Sequence, residues 1–257
     1  NKFEFRAVGA SQSIAGPNII LNTIVAESLD YLASEIEARG GPGDRRDVIQ
    51  GLVRQTLTRH RRILFNGDNY TEEWMQEAER RGLSNFVDAP SAIAQYATER
   101  NVALLAKYGV LSERETKARS NVKFLKYAHR LNVEALATRE IAATRILPAA
   151  LTFQERLARS IAAVMAISAE ADLGPQRQLL TRVTSATSEL ARAIERLAKS
   201  QSEAEKGEHN AGQVAVRMRD QVKPAMAAVR VQADLLETIV DDDLWPLPKY
   251  GELLSLD

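Results

Sequence analysis

The sequence predicts a mostly α-helical fold opened by one short β-strand. Three observations carry this. Apolar residues recur at three- and four-residue steps along most of the chain. Glycine and proline fall mainly at the breaks between those runs. Convincing period-two alternation occurs only at the start, where Phe3 and Phe5 alternate with Glu4 and Arg6.

The strand would place the two phenylalanines on one face and the two charges on the other. A lone strand cannot satisfy its own backbone groups, so its neighbours are expected outside this sequence. The first residue, Asn1, is not methionine. Together these features predict the C-terminal part of a longer chain.

Residues 10–16 read as a small-residue loop, and Pro17 suits the first turn of a helix. Ile20, Ile24, Leu29, Leu32 and Ile36 carry that helix to about residue 38, where GGPGD breaks it. A second helix is predicted over 45–65. NGDNY then forms a turn, Thr71 caps a short helix, and Gly82 ends it. Pro90 opens a helix predicted to run to Tyr108. The spacing of Ser112 and Glu115 fits a capping box. The helix that it starts is predicted to run through Phe124, Leu125, Leu131, Leu136 and Ile141 towards Ile167. Pro148 should kink or interrupt it, and Gly174-Pro175 should end it.

Residues 176–240 read as a long antiparallel helical hairpin. Val183, Thr187, Leu190, Ile194 and Leu197 step 4-3-4-3, and Val222, Met226, Val229, Ala233, Leu236 and Val240 step 4-3-4-3-4. Two such stripes across a short polar link favour antiparallel packing. Pro224 is a local disturbance. The tail, 241–257, carries Trp245, Pro246, Leu247, Pro248 and Tyr250, and reads as an extended segment that docks on the body.

Composition narrows the function. The 257 residues include 34 basic and 34 acidic side chains. That balance argues against general nucleic-acid binding, which needs a basic face. No cysteine is present, which excludes disulfides, thiolate metal sites and a cysteine nucleophile. No apolar run reaches the roughly 18 residues of a membrane span.

Among candidate catalytic groups, Glu4 and Arg6 share one strand face, about 7 Å apart. A carboxylate that binds a divalent cation beside a guanidinium that neutralises phosphate would suit phosphoryl chemistry. The same spacing also fits a solvated strand face or a plain ion pair. His60, His129 and His209 show no zinc-hydrolase spacing. Arg59, His60, Arg61 and Arg62 point around a helix rather than forming one patch. Gly40, Gly41 and Gly43 follow a helix and lack the lysine of a phosphate loop.

Beyond these local patterns, NKFEFRAVGASQSIAGPNIILNTIVAESL resembles the glutamate-then-arginine catalytic strand of type III glutamine synthetases. RHRRILFNGDNYTEEWMQEAERRGL, YGVLSERE, NVEALATREIAATRILPAAL and DDDLWPLPKYGELL resemble later segments of that family, in the family's order. The resemblance implies an α+β glutamine synthetase fold of which this is a fragment. Residues 1–39 would be the end of the catalytic domain, with the strand belonging to its sheet. Residues 40–257 would be the type III helical C-terminal region. It implies a cytoplasmic ligase that joins ammonia to L-glutamate through γ-glutamyl phosphate, with ATP as co-substrate and Mg²⁺ or Mn²⁺ as cofactor. The family assembles as dodecamers of two hexameric rings. By the same resemblance, Glu4 is a metal ligand and Arg6 contacts the transferred phosphoryl group, while the role of Lys2 stays open. The fragment alone is expected to be inactive. The alternative is a non-catalytic helical interaction or assembly module of the same ancestry. No nucleic-acid or membrane partner is expected.

Overall fold

A computed structural model of the chain describes residues 12–39, 45–68, 70–206 and 210–254. The chain divides into two units, residues 1–120 and 121–257.

In the first unit, α1 (Ala15–Arg39) packs against α2 (Arg45–Arg59). A 3-10 turn, Arg61–Ile63, leads to α3 (Glu72–Arg80). Two further helices follow, α4 (Ala89–Tyr96) and α5 (Glu99–Lys107), and α5 also lies against α1. The buried residues are few: Thr23, Leu52, Pro90, Leu105, Thr116 and Ser120. Val25 and Leu29 of α1 remain more than half exposed.

The single helix expected from Pro90 to Tyr108 is in fact two. Asp88 caps α4 by accepting the Ser91 amide at 2.9 Å. At its far end the Gln95 carbonyl accepts from the Asn101 side chain at 2.6 Å and the Thr98 hydroxyl at 3.2 Å. These side chains compete with the next helical turn for that carbonyl, and the chain re-initiates at Thr98. Thr71 occupies the cap position of α3, but its hydroxyl donates to the Asp68 carbonyl rather than accepting a helix amide. Gly82 ends α3 with φ +65, a left-handed conformation that costs other residues their Cβ clearance.

The second unit is built around α8 (Gly174–Glu205). The capping box at Ser112 and Glu115 forms, with the Ser112 amide donating to the Glu115 carboxylate at 2.8 Å and the Glu115 amide donating to the Ser112 hydroxyl at 3.3 Å. It starts α6 (Glu113–Ile141), which passes through a π-helical turn, Ala142–Ile146, into α7 (Leu147–Ile167). The second arm of the hairpin is α9 (Ala211–Arg217), a π-helical turn Met218–Val222, and α10 (Lys223–Glu237). Both π turns end two residues before a proline, Pro148 and Pro224. Proline has no N–H to donate and crowds the carbonyl one turn back, so the helix widens there instead of breaking. Gly174-Pro175 opens α8 rather than closing α7, which stops earlier at Ile167.

The core gathers one stripe from each helix: Ala128, Leu131 and Ala135 from α6, Ile146 and Ala150 around the first π turn, Leu190 and Leu197 from α8, and Val222, Val229 and Leu236 from the second arm. The tail forms a 3-10 turn, Asp242–Leu244, which Asp241 caps, and a last short helix α11 (Tyr250–Leu254). Leu244, Trp245 and Leu247 pack on the core.

One expectation is corrected. The fold class is all α rather than mostly α with a catalytic-sheet strand, because every regular element among the described residues is a helix or a helical turn. Two alternating phenylalanines supply a pattern, but a strand needs a ladder partner, and the described chain offers none. Residues 3–6 themselves lie outside the described residues.

Candidate functional site

The sequence nominated Glu4 and Arg6, with Lys2 beside them. All three lie outside the described residues, as does His209. His60 separates α2 from the 3-10 turn, and Arg59, Arg61 and Arg62 point outward around that break. His129 is exposed on α6. Among the described residues, no group of three His, Asp or Glu side chains is placed to hold a metal ion. What the structure does build is three polar assemblies.

The first fastens α1. Glu27 and Asp30 are three residues apart, so they share one helical face. Lys107, the last residue of α5, reaches Glu27 at 2.8 Å and Asp30 at 3.0 Å. The Tyr108 hydroxyl donates to Glu27 at 2.5 Å and lies 2.8 Å from Asp30. The bonds from Lys107, and then from Tyr108, hold both carboxyls below their ordinary range. The bond to Glu27, reinforced by Tyr108 and Asp30, pushes the Lys107 ammonium up. Burial, and then the bond to Glu27, pushes the Tyr108 phenol up. Each shift moves its group away from neutrality. A general acid or base works best with a pKa near the working pH, so this cluster is a fastening and not a catalytic centre. It fixes the helix that follows residues 4–6.

The second assembly joins the 3-10 turn to α3. Phe65 and Trp74 stack with ring centres 4.5 Å apart. The Arg81 guanidinium lies 5.9 Å from the Phe65 ring centre and 5.8 Å from that of Trp74. It donates to the Arg62 carbonyl at 3.1 Å and the Leu64 carbonyl at 2.6 Å, and pairs with Glu77. Bonds from Arg80, and then Arg81, hold the Glu77 carboxyl down at about 2. A Cβ on Gly67 would meet the Phe65 ring at 2.5 Å, which explains a glycine in this turn.

The third assembly lies between α6 and α8, at a groove of about 490 Å³ lined by Asn132, Leu136, Arg139, Gln201, Glu205 and Lys206. Gln201 is buried at the end of the α8 stripe. Its amide donates to Asn132 Oδ1 at 2.9 Å, and its carbonyl accepts from Arg139 at 3.3 Å. Asn132 in turn donates to Glu205 at 2.7 Å. The buried amide is therefore satisfied, and the polar layer fixes the register of the two helices.

Sequence reasoning found none of these assemblies. The pairs of Glu77 with Arg80 and Arg81 sit at helical spacing, but the other contacts cross between elements, over as many as 81 positions, where no local spacing marks them.

Comparison with known proteins places the chain in context. Residues 48–165 match the family model described as the glutamine synthetase C-terminal domain. The chain is similar over its whole length to the type-3 glutamine synthetase of Dictyostelium discoideum, at 35% identity. It is also similar, at 31% identity over 99% of its length, to a glutamine synthetase of Bacteroides fragilis (strain YCH46). A glutamine synthetase of Butyrivibrio fibrisolvens is 24% identical over a similar span. In each case the chain spans only about a third of the relative's length.

Proposed function

We propose that the chain is the C-terminal part of a type III glutamine synthetase, and that it serves an enzyme that ligates ammonia to L-glutamate at the expense of ATP. The observation that carries this reading is the end-to-end similarity to a type-3 glutamine synthetase. The reaction passes through γ-glutamyl phosphate, from which ammonia displaces phosphate.

Within this reading, residues 1–39 close the catalytic domain and residues 40–257 form the helical region. Glu4 is a ligand to a Mg²⁺ or Mn²⁺ ion that, when bound, offsets the charge of the phosphoryl group. Arg6 presents its guanidinium fork to phosphoryl oxygens, where charge builds as the group transfers. The remaining metal carboxylates and the nucleotide contacts come from the two thirds of the relatives that this chain does not match. Cytoplasmic placement and a dodecamer of two hexameric rings belong to the same proposal. Among the described residues no helix is long and apolar enough to cross a membrane.

The test is an assay of ATP- and glutamate-dependent glutamine formation. The 257-residue chain alone should show none, because a site assembled from several strands cannot form from one segment. A chain restored to the length of its relatives should be active, and Glu4→Ala in it should lower metal-dependent turnover by orders of magnitude. Activity in the isolated chain, or near-normal kinetics in that variant, would overturn the assignment.

A further inference from the structure

The polar layer between α6 and α8 forms one wall of an open groove of about 490 Å³. That volume suits a small molecule, and the groove lies wholly within the second unit. Gln201 gives it a fixed floor. This side chain is 4% exposed, with its amide on Asn132 and its carbonyl on Arg139. A buried carboxamide with donor and acceptor both engaged is held in one orientation, and it holds its neighbours in turn.

The charges along the groove are only partly used by the protein itself. Among the described residues Arg139 has one polar partner, the Gln201 carbonyl, at 3.3 Å, which is long for such a bond. A guanidinium carries five N–H donors in a planar fork, so most of this fork is uncommitted. Lys206, at the end of α8, lines the same groove and forms no ion pair among the described residues. One acid joins them. Glu205 accepts from Asn132 at 2.7 Å, and Asn132 accepts from Gln201 at 2.9 Å. The relay Arg139–Gln201–Asn132–Glu205 therefore begins at a cation and ends at a carboxylate, with two carboxamides holding them apart. Leu136, 44% exposed, and Ala198 add apolar lining.

This charge set describes an occupant. Two cations and one carboxylate complement a molecule that carries two carboxylates and one ammonium. The Arg139 fork matches a carboxylate, Lys206 meets the second as a point charge, and Glu205 meets the ammonium. A phosphate would set its charge against Glu205 with nothing to offset it, and a neutral molecule would leave both cations unpaired. We propose that the groove between α6 and α8 binds a small acidic amino acid, with Arg139, Lys206 and Glu205 as its charged contacts and Leu136 beneath its carbon chain. The site uses neither Glu4 nor Arg6. Binding there is read without turnover, so it stands or falls separately from the assignment of those two residues.

Titration calorimetry of the 257-residue chain tests it, with L-glutamate, L-aspartate, glutarate and inorganic phosphate as probes up to about 20 mM. At least one of the two amino acids should saturate the chain with a Kd of about 1 mM or tighter. Glutarate, which lacks the ammonium, and phosphate should bind at least about 10-fold more weakly. Arg139→Met should weaken amino-acid binding by about 10- to 100-fold. That change also frees the Gln201 carbonyl, so Ser202→Trp serves as a second variant. Ser202 is an exposed lining residue, and the indole fills the groove while every charge stays in place. It should abolish binding, with circular dichroism unchanged. Lys199→Met removes an exposed cation of α8 outside the groove and should leave binding intact. No saturation by either amino acid overturns the proposal. Glutarate or phosphate binding as tightly as the amino acids overturns it too, because Glu205 then selects nothing. Binding that survives Ser202→Trp places the molecule elsewhere and overturns it as well.

Discussion

The Tyr108 hydroxyl donates to the Glu27 carboxylate across 2.5 Å, joining the end of α5 to the middle of α1. Asp30 and Lys107 complete the contact. The side chains are partly open to solvent, so their value is modest individually and depends on acting as a network. Tyr108→Phe and Lys107→Met should each lower the melting temperature by a few degrees, and together by less than the sum, because they share the same carboxylates. The pH dependence follows from the shifts. Glu27 and Asp30 have depressed values, so their contribution is present above the ordinary 4.5 and 3.8 and is lost as pH falls below them. Lys107 is raised from 10.5, so its contribution is present below that value and is lost as pH climbs beyond it. Thermal scans of wild type and Lys107→Met should therefore differ most between about pH 5 and 10 and converge at both extremes.

Glu77 titrates at about 2 against an ordinary 4.5, through its bonds to Arg80 and Arg81. Its contribution is present above pH 4.5 and is lost as pH falls towards 2. Arg81 also lies beside the stacked Phe65 and Trp74, so the loss should be visible in tryptophan fluorescence. Glu77→Gln should remove that acid step and leave the signal of Trp245 unchanged. An acid transition of the same amplitude in the variant would separate Glu77 from the aromatic pair.

Leu190 is fully buried in the α8 stripe. Leu190→Ala should cost about 2–5 kcal/mol in urea denaturation, the range for a core leucine whose cavity cannot collapse. Val231, 61% exposed on α10, is the control: Val231→Ala should change stability by less than about 0.5 kcal/mol.

Gly82 stands at φ +65 with open space where a Cβ would be. Gly82→Ala should therefore destabilise the first unit through its backbone alone, by about 1 kcal/mol. Gly16→Ala, in the first turn of α1 and equally uncrowded, should be neutral or stabilising. Equal effects at the two sites would remove the conformational argument.

Much of the helical pattern was legible because it is local. The 4-3 steps of Val183 to Leu197 and Val222 to Val240, the capping pair Ser112 and Glu115, and the glycine at 82 all declare themselves within a few residues. The division of 89–107 into two helices was not legible, since it depends on Asn101 and Thr98 taking a carbonyl that propensity assigns to the helix. The strand was over-read from four residues, for want of any test of its partners. Glu4 and Arg6 rest on their spacing and on family resemblance, and both lie outside the described residues. The fastening of α1 by Lys107 and Tyr108 was invisible, because charges about 80 positions apart carry no shared period.

The two π turns bear on how this region tolerates change in length. At each of them the buried stripe advances by two successive steps of four, Ala142–Ile146–Ala150 and Met218–Val222–Met226. In a regular helix a second step of four overshoots the seam, and a locally unwound turn absorbs the excess. Each wide turn is thus a slack point, holding about one residue more than the seam requires. Losing one residue at either place should tighten the turn to an ordinary helix and leave the far arm in phase. The same loss in the middle of α8 would rotate every later side chain by about 100° and turn Leu197 out of the core.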